Sequence, residues 1–418
     1  MNKTSEFLAG FISRGGGYVL GSGLIVKLTA VITTVIVARS LTDEEFGTIS
    51  FLLMLITPVI PLAGLAQDFS YLRKAPVLAP TERLGLYKTL SLYGLAASIL
   101  ISCVFDVTLT LLNIVPSGYS IYLVVLTGTL ILEYIIKIVE AYLRVESKNS
   151  VFSKIGVYRS LALLVLVSVT IPLFGPTGYV VSLICAPLIA IFLILKNIPI
   201  NLLFLTSYRT VPLADVKYGA GIGVAGFISQ LQLPLAGIIY GNYSGDMAGL
   251  ALYKVATVIP FSLMFVPNLI FKSEFVHIVK DKADIKATMR YLYGYWSIVG
   301  SLFTVGAILY WMAGKYFLLL IFGEEYAESY ELMAWLLFAV FGAFLLRQPF
   351  GNILAAKGFS FLNLMVSIIS TAVYIPLTCY LVDKYKLMGA VYSVNVILWS
   401  GGLALFLVFI FSQRRIRR

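Results

Sequence analysis

Five cations stand inside long apolar runs of this chain: Lys27, Lys137, Arg159, Lys254 and Arg347. A charge at the centre of a bilayer costs about 2.5–3.5 kcal/mol on insertion scales, so each of them needs water, a partner or an anionic ligand. Lys27 lies near the middle of the first run, and Gly23, Ala30 and Thr34 share its helical face. That small, polar stripe suits the wall of a wet cavity; the other reading is a lysine paired for folding with a carboxylate from elsewhere. Arg159 and Lys254 each lie about two turns into their runs, where they either face a cavity or extend along the stem to the interface. Lys137 and Arg347 are nearer the run ends, and snorkelling to the interface is expected of both.

Carboxylates are fewer. Glu133 and Glu140 flank Lys137 at spacings of four and three, which places all three on one helical face as an ion-pair ladder or a proton relay. Asp68, near the end of the second run, either titrates as a coupling carboxylate or marks the interface. Asp43-Glu44-Glu45 resembles an acidic metal site only superficially, because Thr42-x-x-Glu45 is a capping box with acids beside the positive helix end. The three cysteines, Cys103, Cys185 and Cys379, have no metal-type spacing and are expected as small core residues, and a single His277 leaves little for a metal. No resident cofactor is expected.

The elements that position these groups are membrane spans. Of 418 residues, 60% are hydrophobic and 12% charged, against roughly 25% charged in a soluble protein. The mean hydropathy is +0.94. Apolar segments fall at 15–38, 47–71, 86–112, 118–142, 152–174, 177–196, 219–241, 247–272, 291–313, 329–352, 359–382 and 388–411, numbered here spans 1 to 12. Each matches a hydrocarbon core of about 30 Å at about 1.5 Å per residue. The predicted class is an all-α polytopic membrane protein, and apolar runs continuing to residue 411 exclude a lone signal peptide.

The net charge of +11 would suggest nucleic acid in a soluble protein. Here 22 of the 31 Lys and Arg lie in loops on the side of the termini and four (Arg39, Lys315, Lys384, Lys386) on the other. This asymmetry predicts that both termini are cytoplasmic. The cluster Lys280, Lys282, Lys286, Arg290 and the tail Arg414, Arg415, Arg417, Arg418 suit anionic lipid headgroups, and no nucleic-acid partner is expected.

The two halves of the chain echo each other. Gly47 and Pro58 recur as Gly249 and Pro260, the turn at Lys148-Asn-Ser-Val-Phe152 as Lys357-Gly-Phe-Ser-Phe361, and Gly178-Tyr-Val-Val-Ser182 as Gly389-Ala-Val-Tyr-Ser393. Three matches in order, at offsets between 202 and 211, predict two six-helix lobes, 1–205 and 206–418. An even number of spans per lobe puts the pseudo-two-fold axis along the membrane normal, an arrangement suited to rocking about a central site. A duplicated scaffold without transport is the alternative. Span 7 carries Gly219, Gly223, Gly226, Gln230, Pro234, Gly237 and Gly241 on one face, which lets another helix approach closely and bend at Pro234. Ser229 and Gln230 stand at the depth in lobe two that Lys27 has in lobe one. A helix-packing seam with a structural kink is the competing reading of that face.

The sequence resembles the polysaccharide-specific branch of the MOP exporter superfamily, the Wzx-type O-antigen flippases with a MATE-like architecture. The resemblance rests on Ala38-Arg39-Ser-Leu-Thr-Asp-Glu-Glu-Phe46-Gly47, Gly249-Leu-Ala-Leu-Tyr253, Ile321-Phe-Gly323-Glu-Glu-Tyr326 and Leu387-Met-Gly389-Ala390, together with length and span number. It implies a multi-pass protein of the bacterial inner membrane that moves an undecaprenyl-diphosphate-linked repeat unit from the cytoplasmic to the periplasmic leaflet. The resemblance also implies a cation-lined cavity, coupling to a proton or sodium gradient, and association with a polysaccharide polymerase and a chain-length regulator. The chain is shorter than the lipid II flippases by two spans and lacks the acidic residue that many MATE drug exporters carry in span 1.

Together these readings assign Lys27, Arg159 and Lys254 to the lipid-linked oligosaccharide's diphosphate, with Ser229, Gln230 and Pro234 as polar and hinge positions. Asp68, Glu133 and Lys137 are the coupling candidates. One rival is a multidrug antiporter of the same fold, which would favour anionic cavity residues. The other is a membrane-embedded polymerase or glycosyltransferase, which would need a longer outer loop.

Overall fold

The computed structural model describes residues 16–194, 213–265, 267, 271 and 285–416. Every regular element among them is helical. Eight helices are long and apolar enough to cross a membrane, and a ninth crossing is the bent pair Leu213–Leu231 and Leu235–Ser244. Two of the eight contain a reversal, and a shorter apolar helix, Met247–Leu263, stands at span 8. All twelve expected spans are thus met by described helix. The outer part of the Lys280 cluster, His277 and the extreme tail lie outside the described residues, as does the lobe boundary expected at 205/206.

Span 2 begins as the sequence requires. The Thr42 hydroxyl accepts from the Glu45 backbone N–H at 3.3 Å, and a Glu45 carboxylate oxygen accepts from the Thr42 N–H at 3.0 Å. Two otherwise unpaired donors of the first turn are satisfied in this way. The acidic triplet is a helix start.

The helix Asn149–Ile194 reverses at Gly175 (φ 55°, ψ −135°). The Thr170 hydroxyl reaches the Gly178 carbonyl at 2.9 Å and the Ser182 hydroxyl at 2.7 Å, contacts that a continuous helix forbids. The helix Ser360–Ile416 reverses at Lys386 (φ 51°, ψ −126°), where the Tyr374 and Ser393 hydroxyls meet at 3.4 Å. Spans 5–6 and 11–12 are therefore two tight hairpins with the same corner at corresponding positions of the repeat. Only glycine takes that corner without strain, so Gly175 fits it and Lys386 does not.

The described helices form two compact units, Gly17–Pro234 and a second that takes in Leu235 onward. The N-terminal half of span 7, Leu213–Leu231, thus packs with the first six spans. The cause is its glycine face: Gly219 lies against the Leu65 carbonyl and the Gln67 side chain, and Gly223 and Gly226 against Pro61. A side chain there would collide with backbone, which is the close approach that small residues permit between helices in lipid.

Interior packing in the first unit centres on Tyr71, Tyr87, Leu90 and Tyr134. Tyr134 is held from both sides, since a Cβ on Gly64 or on Gly94 would fall within its ring, and its hydroxyl donates to the Leu90 carbonyl at 2.7 Å. In the second unit Phe350, Phe406 and Phe409 pack together with Trp296. Cys103 and Cys379 are exposed on their helices and Cys185 is half-buried, all as free thiols, so the expectation of core cysteines fails for two of the three. Apolar runs hide which face looks at lipid, and small residues serve on either.

Candidate functional site

In the first unit the polar side chains gather around a break in span 2. The helix Asp43–Ile56 gives way to a tighter 3-10 segment, Thr57–Ala66, containing Pro58 and Pro61. At Ala63, Gly64 and Leu65 the backbone leaves helical geometry, and Ala66 is left-handed before helix resumes at Gln67–Lys74. A broken span frees carbonyls that lipid cannot satisfy, so protein groups must. Lys137, from the helix Thr129–Val145, donates its ammonium to the Ile60 carbonyl at 2.7 Å. It turns inward instead of snorkelling, and among the described residues it makes no ion pair with Glu133 or Glu140.

Glu133 is buried and forms an ion pair with Arg159 of span 5. A proposed coupling acid and a proposed substrate cation therefore meet each other, across helices and not along one. Asp68 is 6% exposed, and its Oδ1 has no hydrogen-bond partner among the described residues. Its electrostatic neighbours include Lys137, Arg144 and Glu140. At the N-terminal end of span 7, Asp215 pairs with Lys74, and its carbonyl accepts from the Ser70 hydroxyl at 2.9 Å. Neither Asp215 nor Lys74 stands out in the sequence; the signal was the charge of Asp215 opening a glycine-faced helix, two residues before Lys217.

Lys27 is half-buried on the helix Gly16–Ser40, and no described residue accepts its proton or pairs with its charge. Lys254, in the second unit, is half-buried on Met247–Leu263 and equally without a side-chain partner among the described residues. Ser229 and Gln230 are exposed near the end of Leu213–Leu231. Pro234 occupies the break that follows, where the two halves of span 7 diverge by 61°. Arg347 ends a π-helical turn, Ala343–Arg347, and its Nη1 would stand 3.3 Å from a Cβ on Gly401. It is enclosed by span 12, contrary to the snorkelling expected of it.

No protein-family model matches the chain, and no curated protein matches it. Solved structures do. It is similar to an inward-facing multidrug resistance MATE family transporter of the MOP superfamily, with a TM-score of 0.75 at 13% identity over 96% of this chain and 99% of that one. It is similar also to a variant of the Vibrio cholerae MATE transporter VcmN, with a TM-score of 0.69 at 15% identity over 99% of both chains. A third match is a MOP superfamily transporter from Pyrococcus furiosus, described as having a binding pocket of reverse polarity that suggests a different function. Its TM-score is 0.61 at 13% identity over 96% of this chain and 97% of that one. The chain is a multi-pass helical membrane protein with the fold of the MOP-superfamily transporters.

Proposed function

We propose that the protein is a transporter that flips an undecaprenyl-diphosphate-linked oligosaccharide across the bacterial inner membrane, from a cytoplasmic to a periplasmic opening, with both termini in the cytoplasm. The observation that carries this reading is Lys27, a half-buried ammonium group that no described carboxylate neutralises; Lys254 of the second unit is in the same condition. A diphosphate cannot enter hydrocarbon unpaired, and an unneutralised cation supplies what it lacks. Arg159 contributes less, because Glu133 already offsets its charge. Ser229 and Gln230, being exposed, are suited to sugar hydroxyls. The bend at Pro234 lets span 7 change direction between its halves. A polysaccharide polymerase and a chain-length regulator are the partners this activity would serve, and a proton or sodium gradient its driving force.

The test is surface glycan in a strain lacking the gene. Wild-type protein and Lys27→Arg restore it, whereas Lys27→Ala and Lys254→Ala do not although they insert at normal levels. Wild-type glycan from both alanine variants would sink the reading. A second reading, multidrug export, is favoured by the multidrug transporters whose fold the chain shares. Raised drug susceptibility of the deletion strain with intact glycan would select it.

A further inference from the structure

Near the broken span the described part of the first unit holds four buried or half-buried acids, Asp68, Glu133, Glu140 and Asp215, and three such cations, Lys74, Lys137 and Arg159, yet they are not equivalently matched. Glu133 has Arg159. Lys137 is committed to the Ile60 carbonyl. Asp68, more than nine-tenths buried, keeps Oδ1 without a hydrogen bond from any described residue, and the neighbouring Gln67 Oε1 is in the same condition. A carboxylate charge left so in a water-poor interior is costly, and adding a proton removes the cost. The Tyr71 hydroxyl, one turn further along the same helix, is buried without a partner as well, so an alkali ion is the rival occupant, and the comparison of sodium with choline salts separates the two.

We infer that Asp68 is a proton-exchange site, and that Lys137 relays its charge to the broken segment of span 2. The inference rests on the transporter reading only for its use, since a gradient-driven cycle needs such a site. One O–H bond forms on the Asp68 carboxylate, the proton coming from hydronium on one side of the membrane and returning to water on the other. No other bond is made or broken, and Lys137 keeps its three protons. With Asp68 ionised, the ammonium of Lys137 is held between that charge and the Ile60 carbonyl; with Asp68 neutral, the carbonyl, Glu133 and Glu140 compete for it. Because Gly219 and Gly223 pack directly on Leu65 and Pro61, a change at Ile60 is felt by span 7.

The groups around Asp68 that also bear charge or titrate are Lys137, Arg144, Glu133, Glu140 and Tyr134 on Thr129–Val145. Arg159 acts from span 5, Tyr87 from Pro80–Leu111, Asp215 and Lys217 from span 7, and Tyr71, Arg73 and Lys74 lie on its own helix. Of these, Glu133 and Asp215 are held by cations, which leaves Glu140 as the competing acid.

The experiment needs no substrate. Infrared spectroscopy of the full-length protein in lipid nanodiscs follows the carboxylic-acid carbonyl band as pH is lowered, in sodium and in choline salts. Loss of one titrating carboxyl in Asp68→Asn, its retention in Asp68→Glu and Glu140→Gln, and identical curves in both salts are expected. An unchanged band in Asp68→Asn, its loss in Glu140→Gln instead, or a curve that shifts with sodium would overturn the assignment. Hydrogen exchange of the amides at 63–66 supplies the second readout: a change of about tenfold across the same pH range in wild type, abolished in both Asp68→Asn and Lys137→Gln. Exchange that does not depend on pH in wild type, or that still does in Lys137→Gln, overturns the relay. Either failure leaves the flippase reading standing, because glycan display by Lys27 and Lys254 variants is judged separately.

Discussion

In each unit one irregular turn within a span has its freed carbonyls met by side-chain donors, and the two are satisfied by opposite means. In the first, the break at Thr57–Ala66 is met by an ammonium, Lys137 on the Ile60 carbonyl. In the second, the π turn at Ala343–Arg347 is met by neutral donors: the Tyr295 hydroxyl reaches the Phe344 carbonyl at 3.0 Å and the Trp296 indole the Leu345 carbonyl at 2.9 Å. A neutral donor fixes a carbonyl whatever the surrounding charge. An ammonium answers to nearby carboxylates, and Asp68, Glu133 and Glu140 are all within its electrostatic reach. The first turn is thus built to respond and the second to hold.

The contrast can be strained from both sides. Arg159→Ala strands the buried Glu133 and, since Arg159 is itself partly exposed, is expected to cost about 3 kcal/mol, read as a lowered unfolding temperature, with the Glu133→Ala double variant recovering most of it. If the double variant is no better than the single, the pair does not act as a unit. Lys137→Met removes a charge-assisted hydrogen bond and should cost about 1.5–3 kcal/mol, more at high than at low pH because ionised Asp68 is then exposed to no counter-charge from that position. Tyr295→Phe should cost about 1 kcal/mol with no dependence on pH; a pH-dependent loss there would erase the distinction between the turns. The smallest effect is a gain: Lys386→Gly, at a corner that its pseudo-equivalent Gly175 takes without strain, should stabilise by up to about 1 kcal/mol in chemical denaturation.

What could be read in advance follows from how far each signal reaches along the chain. Span positions, the Thr42–Glu45 cap and the repeated hairpins depend on residues within a few positions of each other, and all were legible. The glycine face of span 7 correctly announced a close approach, but not that its partner would be span 2 of the other repeat. Pairings such as Glu133 with Arg159 and Lys74 with Asp215 depend on which helices are neighbours, which periodicity within one helix cannot encode. The inward turn of Lys137 is hidden for the same reason. Its position near a helix end suggested the interface, while Pro58, Pro61 and Gly64 in span 2 were the available sign that a carbonyl elsewhere would want a donor.

The packing of Leu213–Leu231 into the first unit bears on how the chain is made. When the sixth span has left the ribosome the first unit is still incomplete, because Pro61, Leu65 and the side chains of Gln67 and Ser70 await a helix not yet synthesised. Lys74 in turn waits for Asp215. A chain split after residue 205 would separate a groove from its filling, whereas a split in the turn before Leu235 yields two fragments that each carry their own neighbours. The duplication visible in the sequence and the division of labour in assembly therefore fall at different bonds, and biogenesis must respect the second.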